Sequence, residues 1–213
     1  MSVGFDSSRP AHPADEVGGA PVVSSVVLHR GRIWDLASDD VELPGGQVVV
    51  REYVRHPGAV AVVALDDDDR VLLLRQYRHP VRSFLWEPPA GLLDTEGEDL
   101  RDAAARELAE EADLRADRWA VLADYYTSPG SSDEAIRIFL ARGLSPVAEH
   151  ERHERQDEER DMEVAWVPLD DAVLAALGGG VHNPSAVVGI LATAQARALG
   201  WGTLRPLEAP WVR

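Results

Sequence analysis

Apolar residues fall along this chain in three textures. Short, partly β-branched runs at 22–27, 32–36 and 48–54 are separated by turn-forming residues such as Pro44-Gly45-Gly46, a pattern that predicts an antiparallel β unit. Two further runs, 59–65 and 71–77, flank Asp66-Asp67-Asp68-Asp69, which reads as a solvated hairpin turn. Helical spacing follows at 99–112, then strand-like runs at 119–126 and 135–141. A charged stretch without periodicity, 145–161, leads to a strand at 163–167 and a short helix at 170–177 that Gly178-Gly179-Gly180 ends. A longer apolar helix covers 186–199, with Asn183 as its N-cap and Pro184 at its first position. Strands interleaved with a few helices predict an α/β fold in which a mixed sheet carries helices on its faces. The expected organisation is a flexible tail at 1–20, the β unit at 21–56, the main domain at 57–205 and a tail at 206–213.

Composition narrows the partners. Of 213 residues 45% are hydrophobic, enough for a sizeable core. Acidic residues outnumber basic ones 37 to 21, and the net charge of −16 repels nucleic acid and anionic membrane, so neither is an expected partner. An anionic substrate would need local arginines or a metal. The absence of cysteine excludes disulfides, thiolate metal sites and cysteine nucleophiles, and fits a cytoplasmic protein. No apolar run reaches the length of a membrane span, and the N-terminus lacks the features of a signal peptide.

The chemistry concentrates after Gly91. On the helix predicted at 99–112, Glu107, Glu110 and Glu111 stand at i, i+3 and i+4, and like charges so placed repel. Arg106, four residues before Glu110, offsets part of this. A hard divalent ion such as Mg2+, or Mn2+, which takes oxygen ligands alongside phosphates, relieves the rest. Upstream, Arg75, Arg78 and Arg82 offer planar forks to phosphate oxygens. Glu87 precedes Pro88-Pro89, which hold the backbone extended and expose the Ala90 carbonyl. Ser128-Pro129-Gly130 forms a tight turn. The acidic stretch 149–159 reads as a solvated loop, and its His150 and His153 are one residue too close for a helical zinc pair. A loop that long inside a domain also serves to carry catalytic groups.

The run from Gly91 through Glu98, Arg106, Glu107, Glu110 and Glu111 resembles the Nudix box. Two departures stand out: six residues rather than five separate Gly91 from Glu98, and Asp113 replaces the second Gly of the pattern. An extra loop residue is tolerated, and Asp is among the few residues that visit the left-handed conformation. Arg75-Gln76-Tyr77-Arg78, Trp86-Glu87-Pro88-Pro89-Ala90-Gly91, Tyr126-Thr127-Ser128-Pro129-Gly130 with Glu134, and Glu158-Glu159-Arg160-Asp161-Met162 are similar to segments of the ADP-ribose pyrophosphatase branch, which more often has Leu at the position of Pro88. That resemblance covers about residues 22–205. It implies a Nudix fold and Mg2+-dependent hydrolysis of ADP-ribose to AMP and ribose 5-phosphate. It further implies metal ligation by the Ala90 carbonyl, Glu107, Glu110 and Glu111, with Glu158, favoured over Glu159, as a base delivered by the acidic loop. Catalysis then falls to Glu158, Glu110 and Glu111, substrate contacts to Arg75, Arg78, Glu87, Ser128, Gly130 and Glu134, and support to Gly91, Glu98 and Arg106. The N-terminal β unit is expected to build a homodimer. Hydrolysis of another nucleotide sugar or a nucleoside triphosphate, or ligand sensing without catalysis, are the alternatives.

Overall fold

The N-terminal runs pair as expected, with one shift of boundary. In the computed structural model, which describes residues 14–16, 18–153 and 162–211, β1 (Val22–Arg30), β2 (Asp35–Glu42) and β3 (Val48–Arg55) form an antiparallel sheet in chain order. The strand expected at 32–36 begins only at Asp35. Residues 31–34 are a tight turn closed by the Gly31 N–H donating to the Trp34 carbonyl at 3.0 Å. A Cβ at position 31 would stand 2.3 Å from that oxygen, so the turn requires glycine.

The next strand, β4 (Ala59–Ala64), has no polar side chain and is buried along its whole length, as a strand covered on both faces must be. β5 (Arg70–Arg78) follows, but the two do not form the expected hairpin. The Asp66 to Asp69 turn is closed at its base by a bridge from Leu65 to Val71, with Asp69 at φ 56°. Beyond that bridge the strands part into different sheets. β4 and the stretch 71–74 of β5 are buried on two faces, so each needs its own neighbours. β5 pairs antiparallel with β6 (Ser83–Glu87) and β10 (Glu163–Pro168), while β4 pairs antiparallel with β7 (Ala90–Leu92) and parallel with β9 (Ala135–Pro146), which itself pairs with β8 (Leu114–Tyr126). The short strands β6 and β7 went unforeseen because Pro88-Pro89 interrupts their pattern.

Alternation along the central strands sorts the core into two layers. Ala59, Ala61 and Val63 join Ile136, Ile138 and Leu140 beneath α3 (Pro184–Ala198) and α2 (Leu169–Leu177). Val60, Val62 and Ala64 join Val121, Phe139 and Ala141 beneath α1 (Leu100–Ala112). Each fully buried Val or Leu here contributes about 1.5–3 kcal/mol. The fold is therefore an α/β fold: a mixed sheet between helices, with an N-terminal antiparallel sheet. The charged stretch after β9 is not wholly irregular, since Glu149–Glu151 forms a single 3-10 turn.

β8 has an outer edge, and the C-terminal segment covers it. A bulge between Val121 and Ala123 accompanies paired backbone hydrogen bonds from Val121 to Arg205, both 3.0 Å. Beneath this segment lies an ion cluster. Arg137, 2% exposed, donates from Nε and Nη2 to the Asp124 carboxylate at 2.8 and 2.9 Å and from Nη1 and Nη2 to the Ala209 and Pro210 carbonyls at 3.0 and 2.7 Å. Arg205 supplies a second donor to Asp124 at 2.9 Å.

Candidate active site

Helix α1 is delimited by its own caps. Asp99 accepts the Arg101 N–H at 2.8 Å, and Asp113 ends the helix in the left-handed region at φ 54°, a conformation glycine usually supplies. Ala104, Leu108 and Glu111 follow at i, i+4 and i+7 along the buried stripe, so one carboxylate occupies a core-facing position at 9% exposure. It is satisfied there: Glu111 Oε2 accepts the Ala90 N–H at 2.9 Å. Ala90 pairs with Ala61, and the neighbouring positions carry the ladder bonds, Val62 N–H to Pro89 O at 2.8 Å and Leu93 N–H to Gly58 O at 3.0 Å. Ala90 thus occupies a non-hydrogen-bonded position, where the N–H and C=O both point away from the partner strand. Its carbonyl shares the edge on which Glu111 lies.

Arg106 gathers the other carboxylates. Its Nε and Nη2 donate to Glu98 at 3.0 Å each, and its Nη1 donates to Glu107 at 2.6 Å and Glu110 at 3.3 Å. The hydrogen bonds from Arg106 hold the Glu98 carboxyl below the usual carboxylate range, and the bond to Glu98 in turn raises the guanidinium. Glu107 packs flat over Gly91. A Cβ on Gly91 would lie 2.0 Å from Glu107 Oε1 and 2.6 Å from its Cγ. Gly91→Ala must therefore displace Glu107. The expected result is a loss of turnover of about 10–100-fold and a stability cost of about 1–3 kcal/mol, read from initial rates and thermal unfolding; unchanged rates would show that the placement of Glu107 is immaterial.

The donor set suits a hard divalent cation, being three carboxylates and a carbonyl edge with no nitrogen or sulfur. Among the described residues no three His, Asp or Glu side chains are gathered tightly enough to hold an ion as they stand. Arg106 draws Glu107 and Glu110 to itself and the Ala90 N–H holds Glu111.

The arginines of β5 are not brought together. Arg75 and Arg78 are three residues apart on one strand and so face opposite ways. Arg75 donates to Glu163 at 3.1 Å and lies 5.4 and 5.9 Å from the Phe84 and Trp86 rings. Arg78 forks onto Glu87, with Nε donating at 2.9 and 3.1 Å and Nη2 at 2.6 Å. Glu87 is 3% exposed, and the fork satisfies its burial. Arg82, at φ 50°, follows the turn His79–Val81.

The turn at Ser128 is tied to the N-terminal sheet. The Ser131 and Ser132 N–H groups both donate to the Ser128 carbonyl at 2.9 Å, and Thr127 Oγ1 donates to Glu134 at 2.7 Å. Val54 N–H donates to Ser131 O at 2.8 Å, and His56 N–H to Asp133 Oδ1 at 2.7 Å. Between the two elements is a cleft of about 400 Å³, lined by Arg51 and Tyr53 of β3 and by Tyr126, Pro129, Gly130 and Asp133. Sequence reasoning missed Arg51, Tyr53 and His56. Its available signal was the one-face series Arg51, Tyr53, Arg55 in β3. Nearby, Tyr125 shares a hydrogen bond of 2.8 Å with Ser185 Oγ, and burial pushes its phenol up to about 12. Glu158 and Glu159 lie outside the described residues.

Comparison with known proteins gives a concordant result. The chain matches the NUDIX domain over residues 55–185. It is 46% identical over 190 residues to the ADP-ribose pyrophosphatase of Mycobacterium tuberculosis, covering 89% of this chain and 90% of the relative. It is 43% identical over 146 residues to the ADP-ribose pyrophosphatase of Bacillus subtilis, covering 68% and 77%. A crystal structure of an ADP compounds hydrolase superimposes with a TM-score of 0.66 at 22% identity, covering 88% of this chain and 99% of that one, a likeness of fold.

Proposed function

Because this chain belongs to the Nudix family of hydrolases, we propose that it cleaves the diphosphate bond of ADP-ribose to AMP and ribose 5-phosphate, with Mg2+ or Mn2+ as cofactor. The observation that carries the reading is that α1 brings Glu111 to the Ala90 N–H while Arg106, on the same helix, gathers Glu107 and Glu110. The similarity to two ADP-ribose pyrophosphatases supports the choice of substrate.

Glu107, Glu110, Glu111 and the Ala90 carbonyl would hold the metal. Bound there, it supplies charge neutralisation on phosphoryl oxygens and a water of lowered pKa. The chain's own residues set the geometry. Gly91 leaves room for Glu107, the Ala90 N–H orients Glu111, and the Glu98 to Arg106 pair holds the loop before the helix against it. Glu158, assigned by resemblance, would orient or deprotonate the attacking water. Arg75, Arg78, Glu87, Ser128, Gly130 and Glu134 are assigned to the substrate. Arg75 and Arg78 face opposite ways, so they would serve different parts of it.

A chromatographic assay of ADP-ribose, other nucleoside diphosphate derivatives and nucleoside triphosphates tests the reading. AMP is expected from ADP-ribose with Mg2+, and none with a chelator. Cleavage of a different compound in preference to ADP-ribose would move the substrate assignment, and binding of ADP-ribose without turnover would favour a sensing role. A homodimer built through the N-terminal sheet belongs to the same reading. Val22, Val26, Val48 and Val50 are more than half exposed on that sheet, an apolar surface that a second copy would cover. Sedimentation of an active monomer would remove it.

A further inference from the structure

On the flank of α1 facing the start of β8, Ala105, Ala109 and Ala116 are too small to fill the space between the two elements. They leave a cleft of about 310 Å³ walled by Arg101, Arg106, Arg115 and Trp119. Three guanidinium groups around one cleft run against the character of a chain with net charge −16. They are not equivalent. Arg106 is committed to Glu98, Glu107 and Glu110. Arg101 pairs with Asp102 at 2.7 Å and Arg115 with Glu151 at 3.2 Å, both surface contacts between partly exposed side chains. Exposed pairs of this kind contribute about 0–1 kcal/mol. A dianion entering the cleft therefore exchanges two weak pairs for two charge-assisted forks. Trp119 helps to place one of them. Its indole N–H donates to the Ala116 carbonyl at 3.0 Å, and its ring lies 5.6 Å from Arg101 Cζ, which steers that side chain along the cleft wall.

We propose that this cleft binds a small phosphate-class dianion, either the free ion or the phosphate monoester of a small metabolite. Its volume is at the lower end for small-molecule sites, which suits a phosphate bearing at most a compact substituent. The planar guanidinium groups match phosphate oxygens in pairs, and the alanines give the ester side room without polar demands. The site is distinct from the acidic edge near Ala90, with only Arg106 common to both, so its occupancy does not depend on the reaction proposed above.

Isothermal titration calorimetry of the whole chain in chelator, at constant ionic strength, with inorganic phosphate and separately with ribose 5-phosphate, tests this. Wild type is expected to bind with a dissociation constant on the order of 1 mM. Arg101→Ala and Arg115→Ala are each expected to weaken binding about tenfold with unchanged circular dichroism, and Glu151→Gln, which releases Arg115, to tighten it. Stronger binding of ribose 5-phosphate than of phosphate assigns the site to the ester, and equal binding to the free ion. Absence of binding by wild type, or undiminished binding by both arginine variants, overturns the proposal.

Discussion

Glu111→Gln is expected to lower the rate of AMP release about a thousandfold, equivalent to about 4 kcal/mol of barrier, while the protein stays folded. The two side chains have the same shape, and glutamine retains an oxygen able to accept the Ala90 N–H that Glu111 accepts at 2.9 Å. What is lost is one negative charge at a position 9% exposed, where water cannot replace it as a cation ligand. Burying a neutral amide there costs no more than burying a carboxylate, so the melting temperature should hold or rise slightly. Initial rates across a Mg2+ titration, with thermal unfolding alongside, separate the two effects. A variant with activity within about threefold of wild type at saturating metal would dismiss Glu111 as a ligand, and one that loses activity by unfolding would leave it a structural residue only.

Arg137→Leu is expected to destabilise the protein by about 3–5 kcal/mol, lowering the melting temperature by on the order of 10 °C for a chain of this size. Arg137 and Asp124 are 2% and 4% exposed at the side chain. Removing the guanidinium leaves a buried carboxylate and strips the Ala209 and Pro210 carbonyls of their donor. Arg205 still faces Asp124, which places the effect toward the lower end of the range. Replacing Arg205 instead, 39% exposed at the side chain, should cost well under half as much. Equal melting temperatures for wild type and Arg137→Leu would show that the C-terminal segment does not depend on this cluster.

The sequence by itself determined the elements whose evidence is local. The Asn183 cap of α3, the left-handed Asp113 that ends α1 and the i, i+3, i+4 carboxylates all follow from side chains a few residues apart, because periodicity and capping act within one or two turns. What tertiary structure decided is every relation between distant segments. β4 and β5 part after the Asp66 to Asp69 turn, because β4 and the first half of β5 are apolar on both faces and find partners, β9 and β10, far along the chain. Gly91 is fixed by Glu107 on another element, and the turn after Thr127 by β3. The Arg137 cluster joins β9, β8 and the last described residues, and its one sequence trace is an arginine within the apolar run 135–141. Local pattern specifies how each segment folds; which buried charge meets which depends on packing, and packing is not written in any single stretch.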